Sequence, residues 1–171
     1  MFNRPAQALE AVKAIQAELQ SLGNVPAEGL EPRTQQVLPF SIVRATRGYI
    51  EKVVNQINGC YENGWFDACA VMMRRLLETL IIEVFEKQGL AQKILNSKGD
   101  FVPLGDMISV LRSEPRWNLS RNTKSALSKL KGIGDKSAHS RRFNAHKGDV
   151  DRLLDDYRVT VQELIYLARL K

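Results

Sequence analysis

The sequence predicts an all-α fold: a bundle of four or five helices preceded by an additional N-terminal helix. Three observations carry this expectation. Apolar residues recur at the helical period through each long segment, and no stretch alternates as a strand does. One segment, residues 68–85, is apolar on nearly every side, which marks a central helix for the others to surround. At 171 residues and 44% hydrophobic, the chain is also long enough to bury a core without a disulfide or a metal.

Taken in order, the first segment (about residues 6–22) places Leu9, Val12, Ile15, Leu19 and Leu22 on one stripe and stops at Gly23-Asn24. Residues 25–40 hold Pro26, Gly29, Pro32 and Pro39 among polar residues and read as an irregular linker. Residues 1–40 are therefore expected to be an amphipathic helix and linker, and 41–171 the main helical domain. Ile50, Val53, Val54, Ile57 and Tyr61 mark a helix ending at Asn63-Gly64. Trp65 opens the buried helix, which runs to Gly89; Trp65, Phe66, Met72 and Met73 are expected in the core. Lys98-Gly99-Asp100 reads as a turn, Pro103 starts a short helix to Arg112, and Pro115 breaks the chain again. Residues 122–133 are helical by composition, with an interruption expected at Gly132 and Gly134. Asp149 is placed to cap the last helix from outside, with Asp151 in its first turn. That helix carries the stripe Val150, Leu153, Leu154, Tyr157, Val161, Leu164, Ile165 and Ala168.

Composition excludes several classes. Cys60 and Cys69 sit in or beside apolar runs with no CxxC pairing, which reads as free thiols in a reducing compartment. A zinc site is set aside, and neither a cofactor nor a metal is expected. No leader-like apolar run opens the chain, and the most apolar run carries Arg74, Arg75, Glu78 and Glu83, so a cytoplasmic protein that does not enter a membrane is expected.

Charge is concentrated. From Arg112 to Lys147 ten Lys/Arg face only Glu114 and Asp135, a local +8 in a chain whose total is +6. The excess surrounds His139, one of two histidines, within Lys131-Gly132-Ile133-Gly134-Asp135-Lys136-Ser137-Ala138-His139. Concentrated positive charge beside a group that exchanges a proton near neutral pH points to a polyanion. A nucleotide loop does not fit. The dinucleotide fingerprint needs a third glycine where Ser137 stands, and Asp135 separates Gly134 from Lys136 where a phosphate loop needs them adjacent. Arg121, Lys124 and Lys131 stand at spacings of three and seven, a stripe that can follow a phosphate backbone, with a merely solvated basic face as the plainer alternative.

Two marks stand in order within about Arg47 to Leu167. The first is Trp65-Phe66-Asp67-Ala68-Cys69-Ala70 followed by Arg74-Arg75-Leu76-Leu77-Glu78; the second is Leu130 through His139. Together they resemble the HEPN superfamily of small helical domains (higher eukaryotes and prokaryotes nucleotide-binding). The closest resemblance is to a branch with a G-N/D-x-A-A-H-like motif. The resemblance implies a HEPN-like bundle that acts as a homodimer on RNA. Many such domains are metal-independent endoribonucleases in which an Arg and a His, four to six residues apart, meet across the dimer. A base takes the 2′-OH proton, the oxygen attacks the neighbouring phosphate to leave a 2′,3′-cyclic end, and a cation stabilises the charge on the non-bridging oxygens. In this chain the branch's arginine position is Lys131, with seven residues between it and His139. Lysine keeps the charge without the two-pronged geometry.

The resemblance thus implies a ribonuclease or an RNA-binding module that has lost catalysis. His139 would be base or acid, Lys131 the phosphate cation and Asp135 an orienting group. Arg121, Lys124, Lys136, Arg141 and Arg142 would contact nucleic acid. Arg74 and Glu78 support them, either as an internal ion pair one turn apart or with Glu78 reaching Lys131 or His139 and holding it in place. His146, with four residues between it and Arg141, is the second candidate histidine. The competing reading is a non-catalytic dimeric helical scaffold that binds a protein, such as an antitoxin or a defence-system component. It draws on the surplus apolar residues Val159, Tyr166, Leu167 and Leu170.

Overall fold

A computed structural model describes residues 10, 13, 14 and 36–171. The chain divides into two compact units, 1–32 and 33–171. In the first, Glu10, Lys13 and Ala14 are helical and exposed; the apolar stripe expected from Leu9 to Leu22 lies outside the described residues.

Residues 36–171 form an all-α bundle: α1 (Phe40–Val43), α2 (Gly48–Glu62), α3 (Phe66–Lys87), a 3-10 turn (Ala91–Ile94), α4 (Leu104–Ser113), α5 (Arg121–His139), α6 (Lys147–Asp151) and α7 (Leu154–Leu167). The only extended pairing among the described residues is a single bridge between Leu95 and Phe101. No helix among them is long and apolar enough to cross a membrane.

Helix α3 is the centre. Cys69, Ala70, Met73, Leu76, Leu77, Leu80, Ile81, Val84 and Phe85 are fully buried, because α2, α4, α5 and α7 pack around it. Helix α2 buries Ile50, Val53, Val54, Ile57 and Tyr61 on one face and ends at Gly64, whose φ of 74° takes the left-handed conformation that closes the turn. Helix α7 buries Leu154, Tyr157, Val161, Leu164 and Ile165, and the Tyr157 hydroxyl donates to the Met73 carbonyl of α3 at 3.3 Å. The stretch read as linker contributes to this core. Val37 and Leu38 are fully buried, and the Asn58 side chain holds the Leu38 backbone through both its oxygen (3.1 Å) and its nitrogen (2.9 Å). Cys60 is half-buried and Cys69 buried, both free; burial pushes the Cys69 thiol up to about 12.

Three expectations are corrected. Helix α5 runs unbroken through Gly132 and Gly134 to His139. Glycine is present at 134 because α5 approaches α3 there: a Cβ would lie 2.5 Å from the Arg74 Cβ and 3.0 Å from the Ala70 carbonyl. The last helix is two helices. The Leu153 N–H bonds back to Val150 at 2.9 Å, a tight i−3 closure that ends α6 before α7 begins, and Asp149 caps from inside by accepting the His146 N–H at 3.0 Å. Trp65 precedes the first turn of α3 and is 57% exposed, whereas Phe66 is buried edge-on against Tyr61. Of the two methionines, Met73 is buried and Met72 only half-buried.

Candidate functional site

The glycine contact that brings α5 against α3 also builds the polar cluster beside it. Lys131, Asp135 and His139 follow one another at intervals of four along α5 and so share a face. With the helices this close, Arg74 of α3 places its Nε 2.7 Å from Asp135 Oδ1. Lys131 Nζ bonds the other oxygen of the same carboxylate. Arg74 also reaches Glu78 at 3.4 Å, so Glu78 pairs one turn along its own helix and Arg74 carries the link to α5. Burial pushes the Asp135 carboxyl up, but the bonds from Lys131 and Arg74 outweigh it and hold it below the usual aspartate value. The stem of Lys131 crosses the start of α4, where a Cβ on Gly105 would stand 3.3 Å from the lysine Cε.

These side chains floor an open cleft of about 530 Å³, bounded by Arg74, Leu104, Lys131, Asp135, Lys136 and His139. His139, the last residue of α5, is exposed at the rim. Among the residues picked out in the sequence, the structure brings together His139, Lys131, Asp135, Lys136, Arg74 and, through Arg74, Glu78. Arg121 and Lys124 are not with them. They occupy the other end of α5, with Arg121 about 27 Å from His139 at the α-helical rise, and Lys124 bonds Asn118 at 2.9 Å. Arg141 and Arg142 are exposed in the turn that follows His139. His146 is exposed at the start of α6, in a loop pinned to α3 where Asp67 accepts the Ala145 N–H at 3.0 Å.

The cluster is internally neutral: Arg74 and Lys131 face Asp135 and Glu78. The remaining charge is not compensated in this way. Lys129, Lys136, Arg141 and Arg142 form no ion pair among the described residues. No group of three or more His, Cys, Asp or Glu among the described residues is placed to hold a metal.

Sequence reasoning missed Arg74 as a direct partner of Asp135, and also Leu104 and Ser140 in the cleft wall. The available signal was Gly134, one residue after buried Ile133. A glycine where the apolar stripe of a helix continues marks a close approach of another backbone.

No curated protein and no solved structure matches the chain. A family model described as Domain of unknown function (DUF4145) does match it, over residues 55–171, which takes in α3, the cleft and the basic end of α5. The chain belongs to that family.

Proposed function

We propose that this protein is an RNA-binding module whose contact surface is the C-terminal half of α5 and the loop that follows it. One observation carries the reading. The cations of that surface, Lys129, Lys136, Arg141 and Arg142, have no carboxylate partner among the described residues, whereas Arg74 and Lys131 beside them are neutralised. Cations left unpaired on one surface favour a polyanion, because each phosphate contact releases a condensed counterion. The resemblance to HEPN domains supplies RNA as the polyanion.

A second reading, metal-independent RNA cleavage, draws on the cleft itself. His139, Arg74 and Lys131 line it; in this reading His139 takes the 2′-OH proton while Arg74 and Lys131 stabilise the phosphate oxygens. In the free protein Asp135 occupies both cations, so a substrate phosphate has to displace it. A protein-binding scaffold, as dimer or heteromer, draws on Val159 and Tyr166, which are 42% and 77% exposed on α7.

The deciding experiment incubates single-stranded RNA with the full chain and a chelator, comparing wild type with His139→Ala. RNA that is bound, released by salt and left intact by both proteins supports the binding module. Cyclic ends that disappear in the variant support cleavage. Neither binding nor cleavage refutes the RNA reading and leaves the scaffold.

A further inference from the structure

A second cleft of about 520 Å³ lies on the other side of Lys136, between α5 and the turn joining α6 to α7. That volume is within the range of small-molecule sites. Its base is apolar: Ile133 of α5, Leu153 of the turn and the Phe143 ring from the loop after α5. Its rim is basic, with Lys129 and Lys136 about two turns apart on α5, and Arg152 opposite. The carboxylate present, Asp149, is engaged twice, by the His146 N–H and by Arg152. Three cations against one carboxylate leave the cleft at +2. Gly132 sits between Ser128 and Lys136 on the same ridge of α5, and a Cβ there would meet nothing within 4 Å. The glycine therefore widens the cleft and is not required by packing. Lys136 Nζ lies over the Phe143 ring, 5.9 Å from its centroid, a cation–π contact that a base stacking on that face has to displace.

We infer that this cleft binds one unpaired nucleotide of an RNA strand, its base stacked on Phe143 and its phosphates held by Lys129, Lys136 and Arg152. The inference rests on the RNA-binding reading and deepens it. Aromatic stacking combined with a basic groove is how single strands are held without sequence readout, since every base has a π-face. A duplex keeps its bases stacked on one another and cannot use the ring, so the cleft selects single strands.

The test measures binding of a short uridine oligonucleotide, the same strand with an abasic unit at each position, and a duplex of equal length. The proteins are wild type, Phe143→Leu and Gly132→Leu. Gly132→Leu puts a better helix former at a position where a Cβ meets nothing within 4 Å and aims its side chain into the cleft; a melting temperature no lower than wild type makes it the control for any loss of structure in Phe143→Leu. Both variants weaken binding of the uridine strand about fivefold or more. The effect of Phe143→Leu vanishes on the abasic strand and on the duplex. If wild type and both variants bind the uridine strand equally, the cleft is refuted while the RNA-binding reading stands. If wild type binds no RNA at low salt, both fall.

Discussion

Two glycines two residues apart on α5 respond to alanine in opposite ways. Glycine inside a helix is less favourable than alanine by about 0.8–1.0 kcal/mol, and both Gly132 and Gly134 are inside α5. At Gly132 a Cβ meets nothing within 4 Å, so Gly132→Ala keeps the whole gain. At Gly134 the new methyl lies 2.5 Å from the Arg74 Cβ and 2.9 Å from its Cδ, and 3.0 Å from the Ala70 carbonyl. The Arg74 Cβ is fixed to the backbone of α3 and cannot swing aside, so the two helices must separate. Overpacking of this kind costs about 1–3 kcal/mol. The propensity gain is common to both variants and cancels between them, leaving Gly134→Ala less stable than Gly132→Ala by about 1–3 kcal/mol. Thermal and urea unfolding followed by circular dichroism measure the difference. At about 2–4 °C per kcal/mol for a domain of this size, Gly132→Ala melts above wild type and Gly134→Ala several degrees below Gly132→Ala. Equal shifts, or a Gly134→Ala protein that melts with or above Gly132→Ala, would refute the close helix contact on which the cleft geometry depends.

Further outcomes follow from other contacts. The Asp135 carboxyl is held below its ordinary value in the folded chain. Its stabilising contribution is therefore complete above the unfolded value of about 3.9 and is lost as pH falls through the lower folded one. In a series of urea midpoints, Asp135→Asn loses stability at neutral pH, and the gap from wild type closes on acidification below about pH 4; a gap independent of pH contradicts the pairing. The same variant leaves Arg74 and Lys131 without their shared carboxylate and so binds RNA more tightly at low salt, as fluorescence anisotropy would record. Asn58→Ala strands the buried N–H and carbonyl of Leu38, and chemical denaturation registers a loss of about 1–3 kcal/mol. Cys69, buried and with its thiol pushed up to about 12, reacts with a thiol reagent at neutral pH only when the chain is unfolded; prompt labelling of the native protein contradicts its place in the core.

The architecture was legible wherever burial follows a helical period. The stripe from Ile50 to Tyr61 and that from Leu154 to Ile165 are buried as their spacing demands, and the all-round apolar character of α3 marks its central position. Signals with two physical meanings misled. Gly132 and Gly134 look like helix breakers because glycine costs helix entropy, yet at 134 the absent Cβ is what two packed helices require. The break at Arg152-Leu153 has neither proline nor glycine to announce it, and is made by the Leu153 N–H turning back to the Val150 carbonyl at 2.9 Å. In the candidate site, Lys131, Asp135 and His139 were readable because they are close in sequence and share a helix face. The bond from Arg74 to Asp135 spans 61 residues, and no local pattern reports a contact made only by tertiary packing.

The central claim, that unpaired cations on α5 and the loop that follows it hold RNA, is tested most directly by the salt dependence of binding. Lys129, Lys136, Arg141 and Arg142 as four phosphate contacts set a slope of log affinity against log salt of about −2.8 for a single strand. Replacing Arg141 and Arg142 with glutamine removes two contacts and brings the slope to about −1.4. A wild-type affinity indifferent to salt, or a double variant with the wild-type slope, would contradict the account.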